Sequence, residues 1–494
     1  MRTLPVELYR AAQVRELDRI AIEERGIPGY TLMSRAGAAA FQLLRQRWPK
    51  AWRIEVICGG GNNGGDGYVV ARLARLAGLD ARIMTLADPE SLRGDALTAA
   101  QEARTVEVPI TAFDAARLAE ADLLVDAILG TGLEREVSGL WREAIEAMNA
   151  HPAAVLALDI PSGLHADTGA ALGAAIQAAA TLTFIGLKPG LFTGQGPACC
   201  GEVHFAALGV PPDIYRALHP ACWRYVGADL SALLPRRSRS AHKGHFGHVL
   251  VIGGDLGLAG AARMSAEAAA RCGAGLVSVA TRSAHAGLQA AVRPELMFHG
   301  IETPDELAPL LNRATVIAIG PGLGRGEWGR ALFRAALASD KPLVMDADAL
   351  NLLAAVPGYR NDWILTPHPG EAARLLKMTP AQVEADRFIA VEDLALRFGG
   401  VAVLKGAGSL IASREDGVVT LCATGNPGMA SGGMGDVLTG VIAALVAQGL
   451  PLFAAAKTGV YLHGRAGDQA AQTGGERGLL ATDLLPFLRQ LVNP

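Results

Sequence analysis

Polar side chains that could hold ions or move protons stand at the ends of apolar runs in this chain. In the first half these are Asn62, Asn63 and Asp66 in GGGNNGGDG (59–67), Asp126 in DLLVDAI (122–128), and Asp159 and Ser162 in AVLALDIPSG (154–163). Amide, hydroxyl and carboxylate oxygens are hard ligands, so this set could surround a cation, a polar substrate or both. Capping of the following helices by Asp126 and Asp159 is the plain alternative. The glycines of GNNGGDG, Gly64 and Gly65 among them, let the backbone bend and approach a ligand closely. Free N–H groups at the next helix start would favour an anion. The loop has no lysine, so GxxxxGK[ST] does not apply, and the dinucleotide fingerprint spacing is incomplete. A tight turn, a dinucleotide site and a metal site all remain open on these residues alone.

The second half offers a different chemistry. GGMGD (432–436) precedes the apolar run VLTGVIAALVAQ (437–448). Gly432, Gly433 and Gly435 would open a helix N-terminus as an anion hole, with Asp436 projecting into its mouth. A carboxylate beside an arriving phosphoryl group makes sense as the base that takes a hydroxyl proton. A first-turn Asp favoured by the helix dipole is the alternative. His368 in TPHPGE (366–371) and Lys405 in KGAGS (405–409) again follow apolar runs.

The elements that would position these groups form one pattern. EVICG (55–59), DLLVDAI (122–128), AVLALDI (154–160), HVLVIGG (248–254), TVIAIG (315–320), PLVMDA (342–347), WILTPH (363–368) and VAVLKG (401–406) are short runs, apolar on both faces. Ala-rich helical stretches separate them, which predicts an α/β protein with largely parallel sheets covered by helices. Six of the runs end in GGGNNGGDG, LGTGLERE, DIPSG, GPGLGRG, TPHPGE and KGAGS. Ligand sites in open parallel sheets lie beyond the carboxyl ends of strands, so three turns in each half predict two small-molecule sites. The polar, weakly periodic stretch 218–244 reads as a linker and sets the boundary near residue 225, giving domains 1–225 and 226–494. No glycine motif is shared between the halves, so no internal repeat is expected.

Composition narrows the functional classes. The 494-residue chain is 50% hydrophobic, 19% charged and 5% aromatic, with net charge −3, which leaves no footprint for nucleic acid. The stretches around 170–187 and 441–456 contain Gln, Gly, Thr or Pro and fall short of the about 20 apolar residues a membrane span needs. Cysteines at 58, 199, 200, 222, 272 and 422 form no CxxC pair, and the charged N-terminus is no signal peptide; both predict a reducing cytoplasm.

CGGGNNGGDGYVVARLA, VDAILGTGL and ALDIPSGL together resemble the epimerase domain of NAD(P)H-hydrate repair proteins. GYTLMSRAGAA (29–39) resembles that family's LME-x-AG, with Ser34 where Glu is common. The resemblance implies a Rossmann-like domain that interconverts the R and S forms of hydrated NADH and NADPH. Asn62, Asn63, Gly64, Gly65 and Asp66, with Gly130, Thr131, Gly132, Leu133, Glu134, Arg135 and Glu136, would contact substrate. It also implies that Asn63, Asp126 and Ser162 would hold a potassium ion and that Asp159 would lie against the hydrated nicotinamide as the acid–base group.

NPGMASGGMGDVLTG (426–440) is similar to the GxGD region of the ribokinase-like superfamily. With HKGHFGHVLVIGGDLGLAGAARMSAEAAARCGAGLVSVAT (242–281), IAIGPGLG, VMDADALNLL, LTPHPGEAARLL and VLKGAGSLIA, it resembles the dehydratase domain of the same repair proteins over 240–470. Asp255 stands where Ser is common and Ser431 where Thr is common. The resemblance implies that Ala261, Gly324 and His368 line the hydrated dinucleotide and that Asp436 touches its hydroxyl. Lys405, Gly406, Ala407, Gly408, Ser409 and Gly435 would bind ADP or ATP, with Mg2+ on the donor phosphates. An oligomer is expected by analogy. Two rival readings are a small-molecule kinase that accumulates a phosphorylated product, and a non-catalytic ligand-binding N-terminal half.

Overall fold

The computed structural model describes residues 4–493. The chain divides between Trp223 and Arg224 into two compact units.

The first unit is built on a seven-stranded sheet in the order Ile110–Ala112, Asp80–Thr85, Arg53–Cys58, Leu123–Ala127, Ala154–Leu158, Ala180–Phe184, Glu202–Ala206. All its pairings are parallel. Successive side chains of Arg53–Cys58 enter opposite cores: Ile54 and Val56 pack with helices Gly29–Arg47 and Asn62–Leu76, and Ile57 packs with Gly139–Ala150. Burial on both faces explains the continuous apolar runs. The order reverses between the neighbours Arg53–Cys58 and Leu123–Ala127, and GGGNNGGDG and LGTGLERE follow those two strands. That is the switch point where open α/β sheets bind ligands.

The second unit carries the strand order Val419–Cys422, Ser409–Ser413, Val401–Leu404, Trp363–Leu365, Leu343–Met345, Val316–Ile319, His248–Ile252, Leu276–Thr281, Met297–Gly300. Pairing is parallel except at the end holding Val401–Leu404, Ser409–Ser413 and Val419–Cys422, which is antiparallel. Helices Ala259–Arg271, Met434–Ala447 and Leu452–Gly474 cover one face.

The eight expected strands all form, each ending before its polar or glycine-rich end, with the first beginning two residues earlier at Arg53. Ten further sheet strands among the described residues lie outside the expectation; Asp80–Thr85, Ala180–Phe184 and Leu276–Thr281 do so because Asp, Arg, Thr and Ser interrupt their apolar runs. One turn differs from expectation: Asn62–Asp66 do not form a loop but open the helix Asn62–Leu76. KGAGS forms a turn at the end of its strand and closes the hairpin between Val401–Leu404 and Ser409–Ser413. The six cysteines are all buried. No helix among the described residues is long and apolar enough to cross a membrane.

Candidate functional sites

In the first unit Gly64, Gly65 and Gly67 of GNNGGDG serve proximity rather than turning. A Cβ on Gly64 would meet the Gly59 carbonyl oxygen at 2.1 Å, and one on Gly67 would meet the Ala127 Cβ at 2.5 Å. The helix start therefore presses against the strand ends, and Asn63 and Asp66 are carried inward. A cavity of about 570 Å³ opens there, lined by Asn62, Asn63, Asp66, Gly130, Asp159 and others. Thr131, Gly132 and Leu133 also line it, whereas Glu134, Arg135 and Glu136 lie exposed beyond that lining. Gly130 sits between Asn63 and Asp159: its Cβ would lie 3.3 Å from one and 3.7 Å from the other. Gly64 and Gly65 are buried behind the lining.

Asn63 lines this cavity, and the Leu129 backbone links it to Asp126 and Ser162, which lie buried behind the lining. Asp126 is wholly buried and accepts from the Ser162 backbone N–H (2.8 Å), the Ser162 hydroxyl (2.5 Å) and the Ile128 N–H (3.2 Å). Burial lifts its pKa to about 6 against those hydrogen bonds. The Leu129 N–H donates to Ser162 Oγ (2.8 Å), and Asn63 Nδ2 donates to the Leu129 carbonyl (3.0 Å). Asn63 Oδ1 is left buried with no hydrogen-bond partner. A buried amide oxygen without a donor is a costly vacancy unless a cation or ligand satisfies it. Among the described residues no group of three or more His, Cys, Asp and Glu could hold a metal. A cation here would draw on amide and hydroxyl oxygens such as this one as well as on a carboxylate.

Asp159 follows the strand Ala154–Leu158 in the left-handed region, φ +64°. Its carboxylate is ion-paired to Lys188 Nζ, and Lys188 is wholly buried. The ammonium also donates to Thr183 Oγ1 (2.8 Å) and the Phe184 carbonyl (3.2 Å). Ile185, on the cavity wall, holds φ +60°. A β-branched residue there costs of order 1–3 kcal/mol, which the surrounding packing must offset. Asp18, from the helix Ala11–Arg19, completes the wall. Burial pushes Asp18 up to about 6, with Lys188 opposing and Asp159 adding. Burial also holds Asp66 well above the usual carboxylate range, with Asp159 and Asp18 adding. One ammonium thus stands among three carboxyl groups, two of which favour keeping a proton.

Lys188 and Asp18 were missed in the sequence. The stretch 170–187 read only as buried core, so the strand Ala180–Phe184 and the turn after it, IGLKPG, were not counted with the other strand ends. A lysine in a glycine-proline turn was the available signal. Asp18 lies in a charged amphipathic helix and carried none.

The second unit assembles its groups around Asp346, a buried residue at the end of Leu343–Met345. Lys405 Nζ donates to Asp346 Oδ1 (2.5 Å) and lies 3.9 Å from Glu371. Burial alone would lower the lysine, but the two carboxylates outweigh it and raise its pKa. Thr439 Oγ1 donates to the other Asp346 oxygen (3.2 Å). A Cβ on Gly435 would come within 3.0 Å of Asp346 Oδ2 and 3.2 Å of Lys405 Nζ, so the glycine lets the helix start pack tightly against this pair.

Asp436, in the first turn of Met434–Ala447, is pushed up to about 7 by burial and then by Asp346, with Lys405 opposing. Gly433 caps the helix at φ +90°, and Gly432 has nothing near its Cβ position. Ser265 donates to the Asp436 carbonyl (2.5 Å). His368 caps Pro369–Leu376: its Nδ1 accepts from the Gly370 N–H (3.0 Å), and its own N–H donates to Glu371 (2.9 Å). With Nδ1 accepting, the neutral ring carries its proton on Nε2. Burial, and next Lys405, lower its pKa. Burial raises Glu371 to about 7.

Ser409 begins the hairpin strand after Gly406, Ala407 and Gly408, and its hydroxyl donates to the Gly406 carbonyl (3.2 Å). The buried Arg387 donates to the Lys405 carbonyl (3.2 Å), fixing that turn from below. The Gly324 N–H donates to Asp348 (2.9 Å), and a Gly324 Cβ would meet Asp255 at 2.5 Å. Asp255 itself pairs with Arg282 (2.8 Å). Ala261 lies in the first turn of Ala259–Arg271. Asp346, Glu371 and Thr439 were not singled out as site residues, although VMDAD and PHPGE were noted.

A family model described as NAD(P)H-hydrate dehydratase matches residues 249–489, and one described as YjeF-related protein N-terminus matches 29–190. A bifunctional NAD(P)H-hydrate repair enzyme of Coxiella burnetii is 51% identical over 99% of this chain and 99% of its own length. The Escherichia coli (strain K12) protein of the same description is 46% identical, covering 100% of this chain and 95% of its own. A solved ribokinase-like superfamily protein of Enterococcus faecalis is 31% identical with TM-score 0.50, covering 55% of this chain and 95% of that one.

Proposed function

As the chain belongs to the bifunctional NAD(P)H-hydrate repair enzymes, we propose that Asp159 and Asp436 are the groups through which it carries out the two reactions of that family. The enzyme interconverts the R and S forms of hydrated NADH and NADPH. It also dehydrates the S form to the reduced nucleotide at the expense of ADP or ATP, releasing phosphate.

For epimerisation, the observation that carries the reading is the buried Asp159–Lys188 pair at the cavity floor. Inversion needs the ring hydroxyl to leave as water and water to return on the other face. The ring nitrogen lone pair drives departure, and a proton must be delivered to the leaving oxygen and recovered on return. Asp159 lines the cavity with Lys188 paired behind it, where the two can relay that proton, and burial raises the proton affinity of the neighbouring carboxyls Asp18 and Asp66. Asn62 and the N–H groups of the helix start favour the dinucleotide phosphates. Asn63, Asp126 and Ser162 would hold K+, and the orphaned Asn63 oxygen fits that ion. Bound there, it supplies the positive charge that a lysine gives in other phosphate loops. Exchanging potassium for lithium should slow epimerisation in wild type, and Asn63→Ala should abolish that dependence.

For dehydration, hydroxide is a poor leaving group and phosphate a good one. Asp436 takes the proton of the ring hydroxyl as its oxygen attacks the terminal phosphoryl group of the nucleotide. The ring nitrogen then expels phosphate, and loss of a ring proton restores the dihydropyridine. A carboxyl pushed to about 7 is matched to that transfer near neutral pH. Lys405 through Ser409 and Gly435 would cradle the nucleotide, Ala261, Gly324 and His368 the hydrated ring, and Mg2+ would arrive on the donor phosphates.

The test supplies mixed epimers with ADP, then with ATP, and follows absorbance of the reduced nicotinamide. Wild type should recover both epimers rapidly. Asp159→Asn should recover one epimer fast and the other only at its spontaneous rate. Nucleotide-dependent build-up of a stable phosphorylated product would favour a simple kinase instead.

A further inference from the structure

A basic cavity lies in the C-terminal unit, away from the residues that would bind nucleotide and hydrated ring. It has a volume of about 830 Å³ and is walled by Arg263 and Arg271 of the helix Ala259–Arg271, Arg293, and Arg489 of the helix Leu484–Leu491. The one acidic residue in the wall is Glu267, which is buried and spent on an ion pair with Arg293. Arg263, Arg271 and Arg489 make no ion pair among the described residues, and Arg263 Nε is buried without a hydrogen-bond partner. An adjoining groove shares Arg271 and Arg489 and adds Arg236 and Arg237. The whole chain carries a net charge of −3, so this concentration of positive charge is local.

Like charges in one concavity repel unless a counter-charge is supplied, and low-dielectric walls concentrate their field. Guanidinium groups present forked donors that match phosphoryl oxygens, which lysines do not. We propose that this cavity is a binding site for a small polyphosphate-type anion, and that its occupancy is felt at the catalytic turn carrying Asp436.

The coupling follows from what the two walls touch. On the helix Ala259–Arg271, Ser265 donates to the Asp436 carbonyl (2.5 Å), two residues from Arg263 and Glu267 on the cavity side. Met264 lies where a Gly433 Cβ would meet it at 2.7 Å, and Ala481, beside the lining Thr482, lies 3.1 Å from the same point. Ser431 donates to the Leu479 carbonyl (3.0 Å), tying the start of the GGMGD turn to the segment before the other wall. Drawing the arginines together around an anion therefore loads both supports of that turn.

The test titrates inorganic tripolyphosphate into the full chain saturated with ADP, by calorimetry, beside Arg271→Glu/Arg489→Glu. Wild type should bind one tripolyphosphate per chain, with a salt-sensitive affinity that falls more than about tenfold in the variant. In wild type the anion should change dehydratase kcat/KM and leave epimerisation unchanged; the variant should lose that response while keeping its basal rates and circular dichroism. Absence of binding, binding equal in both proteins, or binding with no effect on dehydratase turnover overturns the proposal. So does a change of oligomeric state in the variant by sedimentation, which would make the arginines a contact for an acidic segment of a second copy.

Discussion

The two candidate sites use one device with different wiring. Each has a glycine-rich helix start bearing an aspartate, Asp66 in one and Asp436 in the other, and a strand-end aspartate paired to a buried lysine amine. In the epimerase unit the lysine-paired carboxylate, Asp159, itself faces the cavity, beside Asp66 and Asp18. In the dehydratase unit Lys405 and Thr439 are bound to Asp346, and the helix aspartate, Asp436, is left to hold a proton near neutrality. The difference fits the two tasks. Returning a water to either face of a ring needs a proton relay, whereas phosphorylating a hydroxyl needs a single base beside an anion site.

Breaking the dehydratase side should give the largest effect. Asp436→Asn should lower nucleotide-dependent recovery of the reduced nicotinamide by about a thousandfold, within the range for loss of a general base, and leave epimerisation intact. Loss of both activities would mean that Asp436 is structural. On the other side, Lys188→Met should slow epimerisation by about a hundredfold. It should also destabilise the first unit by about 3–5 kcal/mol, since a charge is left buried without its partner. Adding Asp159→Asn should restore stability in thermal unfolding but not the rate; recovery of the rate would remove Lys188 from the proposed relay.

The raised carboxyls predict a pH dependence with a definite sign. Dehydratase kcat should rise with pH and level off above about 7, as Asp436 loses its proton. Stability should move the other way. Asp436 and Glu371, both raised to about 7, favour the folded state fully below their ordinary pKa of about 4, and that contribution fades as pH rises through 7. Asp436→Asn should therefore narrow the fall in Tm between pH 5 and 8. The smallest effect tests packing: Gly67→Ala should cost about 1–3 kcal/mol in the first unit and leave dehydratase turnover unchanged.

Much of this was legible in the sequence because it is local. Runs apolar on both faces announced the buried parallel strands, and glycine-rich segments after them announced where ligands would sit. Asn63, Asp126 and Ser162 could be grouped before any coordinates, since each ends or follows such a run. The strands missed were those with polar residues within them, such as Asp80–Thr85, and the misread turn, GNNGGDG, was one where glycines serve contact instead of curvature.

By itself the sequence determined the class of fold, two glycine-rich sites and the identity of most groups within them. Tertiary structure alone decided the pairings that set their chemistry. Lys188 reaches Asp159 because the strands Ala154–Leu158 and Ala180–Phe184 lie side by side. Lys405 reaches Asp346 from a strand one place further across the sheet. A carboxyl's proton affinity depends on burial and on the charges within a few ångströms, and those neighbours come from residues distant in the chain.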